Sequence, residues 1–145
     1  MRVDFYQLGE SSADAALALI ARATLSAGER LLVVSGDDAQ LARISDTLWA
    51  AKPETFLAHG LSGGSHDDRQ PILLSDQLEA CNQAKFVAFA DGQWRDGADS
   101  FERVFLLFDA ATLDSARGVW RMVGEREGVE RRFWKQEAGK WVEGP

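Results

Sequence analysis

The chain has one cysteine, Cys81, in 145 residues, which excludes an intrachain disulfide and any zinc site built from cysteine clusters. Cys81 reads as a small core filler, since only two histidines, His59 and His66, are present to activate a catalytic thiol. No apolar run approaches the roughly 20 residues that a membrane helix needs. Met1–Tyr6 leads directly into a strand pattern rather than a signal peptide, so a cytoplasmic location is expected. Basic residues are scarce, 16 against 23 acidic, for a net charge of −7, and this argues against a broad nucleic-acid surface. Internal repeats, low-complexity tracts and linkers are also missing. One domain over residues 1–145 is expected, large enough to bury a proper core.

The charge is unevenly placed. Ala111–Pro145 holds seven basic and six acidic residues, a net of +1, which leaves nine basic and 17 acidic in the first 110 residues, a net of −8.

What is present begins with Leu31–Val34, an apolar run with no polar alternation, as in a strand covered on both faces. Gly36 permits a turn after it. Asp37 or Asp38 can then cap a helix whose inward stripe is Leu41, Ile44 and Leu48. Upstream, Val3–Leu8 is a strand and Ala13–Ala27 a helix, capped by Ser11 or Ser12 and ended by Gly28. Lys52-Pro53 stops the second helix, and Phe56–His59 is a short strand or extended segment. Gly60–Arg69 reads as an exposed loop whose glycines lack the Gly-Lys-Ser/Thr ending of a phosphate loop. Ile72–Leu74, Phe86–Ala90 and Arg103–Phe108 are further strands, with a turn at Asp91-Gly92 and a short helix or loop over Ser75–Lys85. A last helix runs from near Thr112 to Val123. A small hairpin follows, from Arg132–Gln136 and Lys140–Val142.

Two chemistries fit this layout. Asp37, Asp38, Asp91 and Asp109 fall at the carboxyl ends of expected strands, where open α/β sheets bind ligands, so a magnesium- or phosphate-binding enzyme or receiver-like domain is one reading. Each of these aspartates also fits as a cap or turn residue. No Gly-x-Ser-x-Gly elbow supports a serine hydrolase. The other reading is a binding surface. Arg117, Trp120 and Arg121 are spaced so that one helix face carries two guanidinium groups with an indole nearby. Guanidinium forks grip a carboxylate in bidentate fashion while the ring receives an apolar side chain. Against this stands a Trp120 buried in the core with arginines that merely solvate the helix.

The opening Phe5-Tyr6-Gln7-Leu8, the segment Leu48-Trp49 followed by Pro53-Glu54-Thr55-Phe56-Leu57-Ala58-His59, and the helix Ala116-Arg117-Gly118-Val119-Trp120-Arg121 together resemble the chi subunit of bacterial DNA polymerase III. The resemblance covers nearly the whole chain. It implies a three-layer α/β/α fold with a mostly parallel mixed sheet and a non-catalytic accessory subunit without cofactor or metal. It also implies a link from the clamp loader, through the psi subunit, to the acidic C-terminal tail of single-stranded DNA-binding protein, which ends in an Asp-Ile-Pro-Phe type sequence. On the resemblance, tail-binding falls on Arg117, Trp120 and Arg121, and contact with psi or a competing helicase falls on Trp49 and Phe56. Trp49 as a cap on the core is the competing reading. Gly118 departs from good helix chemistry and is expected to let a ligand or strand approach closely. The segment from Gly128 to Pro145 is longer than the resemblance leads one to expect. It leaves Phe133, Trp134 and Trp141 to cover the sheet, extend the tail site or make another contact.

Overall fold

The structure, a computed structural model, describes residues 1–9, 12–50, 59–64, 66–137 and 140–144. In chain order the elements are β1 (Arg2–Gln7), α1 (Ala13–Ser26), β2 (Leu31–Val34), α2 (Asp38–Trp49), β3 (His59–Leu61), β4 (Ile72–Ser75), β5 (Phe86–Phe89), β6 (Arg103–Phe108), α3 (Leu113–Gly124), β7 (Glu130–Glu137) and β8 (Lys140–Glu143). Among the described residues the strands form one sheet in the order β3-β4-β2-β5-β6-β1-β7-β8. Every neighbouring pair is parallel except β7 with β8.

The lack of alternation in Leu31–Val34 follows from its position. β2 lies inside the sheet, and all four of its residues are buried, Leu31 and Val33 under α1 and α2, Leu32 and Val34 on the opposite face. Each such side chain contributes roughly 1.5–3 kcal/mol on burial. On α1, Ala13, Ala16, Leu17, Ile20, Ala21 and Thr24 repeat at helical spacing and are all buried. Ser12 caps this helix, its Oγ accepting from Ala15 N–H at 3.3 Å, and Gly28, with φ 78°, follows its end. Asp37 caps α2 through the N–H groups of Ala39 and Gln40. The third layer is α3 together with the segment carrying Ala84, Ala98 and Phe101, packed on the face opposite α1 and α2.

Several expectations need correction. Cys81 is exposed rather than in the core, because the loop is anchored by its neighbour: Asn82 is fully buried. The Asn82 side-chain amide donates to Gln70 O at 2.9 Å and Leu31 O at 3.3 Å, and its oxygen accepts from Ala84 N–H at 3.2 Å. These bonds hold residues 76–85 as a loop, the second of the two forms expected there. β3 uses His59, Gly60 and Leu61 as an edge strand, so pairing with β4 reaches into the stretch expected to be loop. The expected Phe56–His59 strand lies outside the described residues except for His59. Gly118 faces open space, with nothing within 4 Å of a Cβ built there, so close approach of a strand does not account for it. The turn at Asp91-Gly92 is as expected. Gly92 has φ 75°, and a Cβ there would stand 3.1 Å from Leu107 O, so glycine is required by conformation and by space.

The hairpin β7–β8 does more than fold on itself: β7 pairs in parallel with β1, from Arg2 opposite Glu130 to Tyr6 opposite Trp134. Asp4, fully buried, holds this junction. Its Oδ1 accepts from Trp134 Nε1 at 3.0 Å and Arg2 Nη2 at 2.9 Å, and its Oδ2 accepts from Arg103 Nε at 2.8 Å. Above it Tyr6 stacks on Trp134, with centroids 6.1 Å apart, and meets the edge of Trp141 at 5.1 Å. Burial, reinforced by the Asp4 charge and opposed by the two arginines, raises the Tyr6 pKa. Trp134 and Trp141 thus cover the α1 side of the sheet, whereas Phe133 turns to the α3 side.

Candidate functional site

Helix α3 is launched by Asp109, whose carboxylate accepts from the N–H groups of Ala111 and Thr112 while the Thr112 hydroxyl answers the Asp109 N–H. Asp114 in the first turn and Arg121 in the last suit the helix dipole. Leu113, Ala116, Trp120 and Val123 repeat at helical spacing and pack toward the sheet. Trp120 is half-buried, its indole 5.0 Å from the Phe5 ring in an edge-on arrangement. It is neither purely core nor purely surface.

Between α3 and the strands lies a cavity of about 320 Å³. Phe5, Phe108, Phe133, Leu113, Ala116 and Trp120 give it apolar walls, and Gln7 and Arg117 supply the polar groups. The Arg117 side chain is 65% exposed, with Asp114 3.9 Å away and fully in solvent. An ion pair of that length and exposure leaves the guanidinium charge uncommitted. The structure therefore brings Arg117 and Trp120 together at one cavity. Arg121 is exposed on the same helix, one turn on, and does not line it.

Trp49, the last residue of α2, is 63% exposed and rests against the His59 ring at 5.0 Å, so it does not cap the core. His59 in turn meets Ser45 Oγ at 3.0 Å through Nε2. Phe56 lies outside the described residues. Because α2 and α3 pack on opposite faces of the sheet, the Trp49 surface and the Arg117 cavity are separate.

Of the strand-end aspartates, Asp91 and Asp109 border a different concavity, which Asp37 and Asp38 do not line. β1 and β6 are neighbours, yet the helices that follow them go to opposite faces, and such a switch point is where open α/β sheets bind ligands. A crevice of about 400 Å³ is there, bordered by Asp14, Arg43, Asp91 and Asp109. Its two strand-end carboxylates, Asp91 and Asp109, are committed. Asp91 accepts from both Arg95 Nη atoms, at 2.8 and 2.9 Å, and from the N–H groups of Gly36 and Gln93. Partial burial works to raise its pKa, but the Arg95 hydrogen bonds and the two backbone N–H groups outweigh this and lower it. Asp37 and Asp109 are caps, and Asp38 is an exposed first-turn residue. Among the described residues no group of three or more acidic, histidine or cysteine side chains could hold a metal ion.

Residues 1–140 match the family model described as DNA polymerase III chi subunit, HolC. The chain belongs to the DNA polymerase III chi subunit family. As a chi-family chain it is a component of a DNA polymerase complex with an accessory role in replication. No curated protein matches the chain. Among the described residues, no helix of this chi-family member is long and apolar enough to cross a membrane.

Reasoning from sequence found the chi-family helix but not the cavity. Phe5 and Phe108 come from different strands, and Phe133 joins them through the β1–β7 register, which pairs it with Phe5. The available signal was the alternation in Arg131-Arg132-Phe133-Trp134, which sends one arginine and one aromatic to each face.

Proposed function

We propose that this chain is a non-catalytic adaptor that tethers the polymerase assembly, through the clamp loader, to single-stranded DNA-binding protein by gripping that protein's acidic C-terminal tail. The observation that carries this reading is an uncommitted guanidinium, Arg117, at an aromatic-walled cavity of about 320 Å³. A tail ending in phenylalanine offers the matching groups: the ring enters between Phe5, Phe108, Phe133 and Trp120, and the terminal carboxylate meets the Arg117 fork. Arg121, exposed on the same helix, attracts the acidic residues that precede the terminus. Binding adds effective concentration rather than chemistry, keeping the assembly near coated template. Trp49 and Phe56 belong in this proposal to a second surface for psi or a competing helicase, which leaves the tail site free.

A labelled acidic peptide ending in Asp-Ile-Pro-Phe, titrated with the chain by fluorescence anisotropy, tests the reading. Saturable binding at about micromolar dissociation constant, weakened by salt and weakened further by Arg121→Glu with the variant still folded, is expected. Absence of wild-type binding at tens of micromolar, a range set by the same estimate, would sink it.

A further inference from the structure

Arg131 and Arg132 are adjacent on β7 and do different things. Arg132 donates to Glu130 Oε1 at 2.8 and 3.1 Å. Arg131, on the face toward α3, makes no ion pair among the described residues. Instead its Cζ lies 4.3 Å from the centroid of the Trp120 ring, and its Nη1 donates to the Trp120 carbonyl at 2.7 Å. The indole is thus flanked by Arg131 and by Phe5. Room for the guanidinium comes from Gly124, the last residue of α3: a Cβ there would overlap Arg131 Nη1 and stand 2.6 Å from Cζ. The β1–β7 register, which sets Val3 opposite Arg131 and Phe5 opposite Phe133, delivers both side chains to the helix at once.

Building on the tail-binding reading, we propose that Arg131 is a positioning residue of that site: stacked on Trp120 and bonded to its carbonyl, it fixes the indole as a wall of the cavity, and the missing side chain at Gly124 makes this possible. Arg131 does not line the cavity, so it acts through Trp120 and not as a further carboxylate grip. Lysine carries the charge but lacks the planar fork that stacks and donates at the same time.

The test compares the wild type with Arg131→Ala, Arg131→Lys, Gly124→Ala and the Arg131→Ala/Gly124→Ala double variant, each checked for folding by circular dichroism. Two readouts are used: affinity for the Asp-Ile-Pro-Phe peptide, and the ¹⁹F resonance of Trp120 in the peptide-free, 5-fluorotryptophan-labelled chain, assigned by Trp120→Phe. Arg131→Ala weakens binding about fivefold, the scale of a stacked cation, equally at low and moderate salt, and moves the Trp120 resonance. Arg131→Lys restores neither fully. Gly124→Ala weakens binding in the wild-type background and has no effect once Arg131 is gone. An unchanged Trp120 resonance in Arg131→Ala, or a loss of affinity that vanishes with salt and is fully repaired by lysine, overturns the proposal. Wild type that binds while Arg117→Ala does not, with Arg131→Ala binding normally, overturns this proposal alone. A wild type that fails to bind the peptide overturns the tail reading and this proposal with it.

Discussion

The crevice at the strand ends and the cavity under α3 are of similar size, about 400 and 320 Å³, and the first occupies the place where open α/β sheets bind ligands. They differ in what the strand-end carboxylates of the one and the helix arginine of the other are doing, with Asp14 and Arg43 also bordering the first. The Asp91 carboxylate takes hydrogen bonds from Arg95, Gly36 and Gln93, and Asp109 caps the turn before α3. In the cavity, Arg117 stands beside three phenylalanines and an indole with its charge uncommitted. A place at the strand ends thus does not by itself leave a carboxylate available for binding.

That contrast can be broken by substitution. The largest effect is expected from Arg117→Ala, which should weaken binding of the tail peptide about 30-fold, as for loss of about 2 kcal/mol from hydrogen bonds to a charged group. Anisotropy measures it, and an effect below threefold would move the grip elsewhere. In the crevice, Asp91→Asn should lower stability by about 1–2 kcal/mol while leaving peptide affinity unchanged, read by chemical denaturation and anisotropy on the same variant. The pH dependence has a definite sign. Because the folded-state pKa of Asp91 is lowered, its contribution is fully present above the ordinary aspartate range and is lost as pH falls through that range and below it. Denaturation at pH 7 and pH 3 should therefore show the Asp91→Asn deficit shrinking at the lower pH, and a constant deficit would contradict the ion-pair account.

Smaller effects sharpen the comparison. Gly118→Ala should stabilise the chain by about 1 kcal/mol, since a Cβ there meets nothing, and it should leave binding intact. Loss of binding in this variant would place the ligand over that part of the helix. Arg121→Ala, at an exposed position outside the cavity lining, should cost only about twofold to threefold in affinity, with the difference fading as salt rises. A salt-independent loss would make Arg121 a direct contact.

Local signals were legible wherever the chain's own chemistry decided the outcome. The unbroken Leu31–Val34 run marks a strand covered on both faces, and Ser12 and Asp37 mark helix starts because their side chains satisfy backbone N–H groups. The spacing of Arg117, Trp120 and Arg121 predicts one cationic and aromatic helix, and α3 carries it. What escaped is non-local. Nothing in Glu130–Glu137 announces that β7 pairs in parallel with β1, yet that register brings Phe133 to the cavity and Trp134 to Asp4. Residue type misleads at Cys81, where burial is decided by the anchoring of Asn82 next to it.

The claim that Arg117 grips a terminal carboxylate is tested most directly by two peptides that differ only at the last group, one ending in phenylalanine as the free acid and one as the amide. The free acid should bind at about micromolar dissociation constant and the amide at least tenfold more weakly, with the difference gone in Arg117→Ala. Equal affinity for the two peptides, or a difference that survives Arg117→Ala, would contradict it.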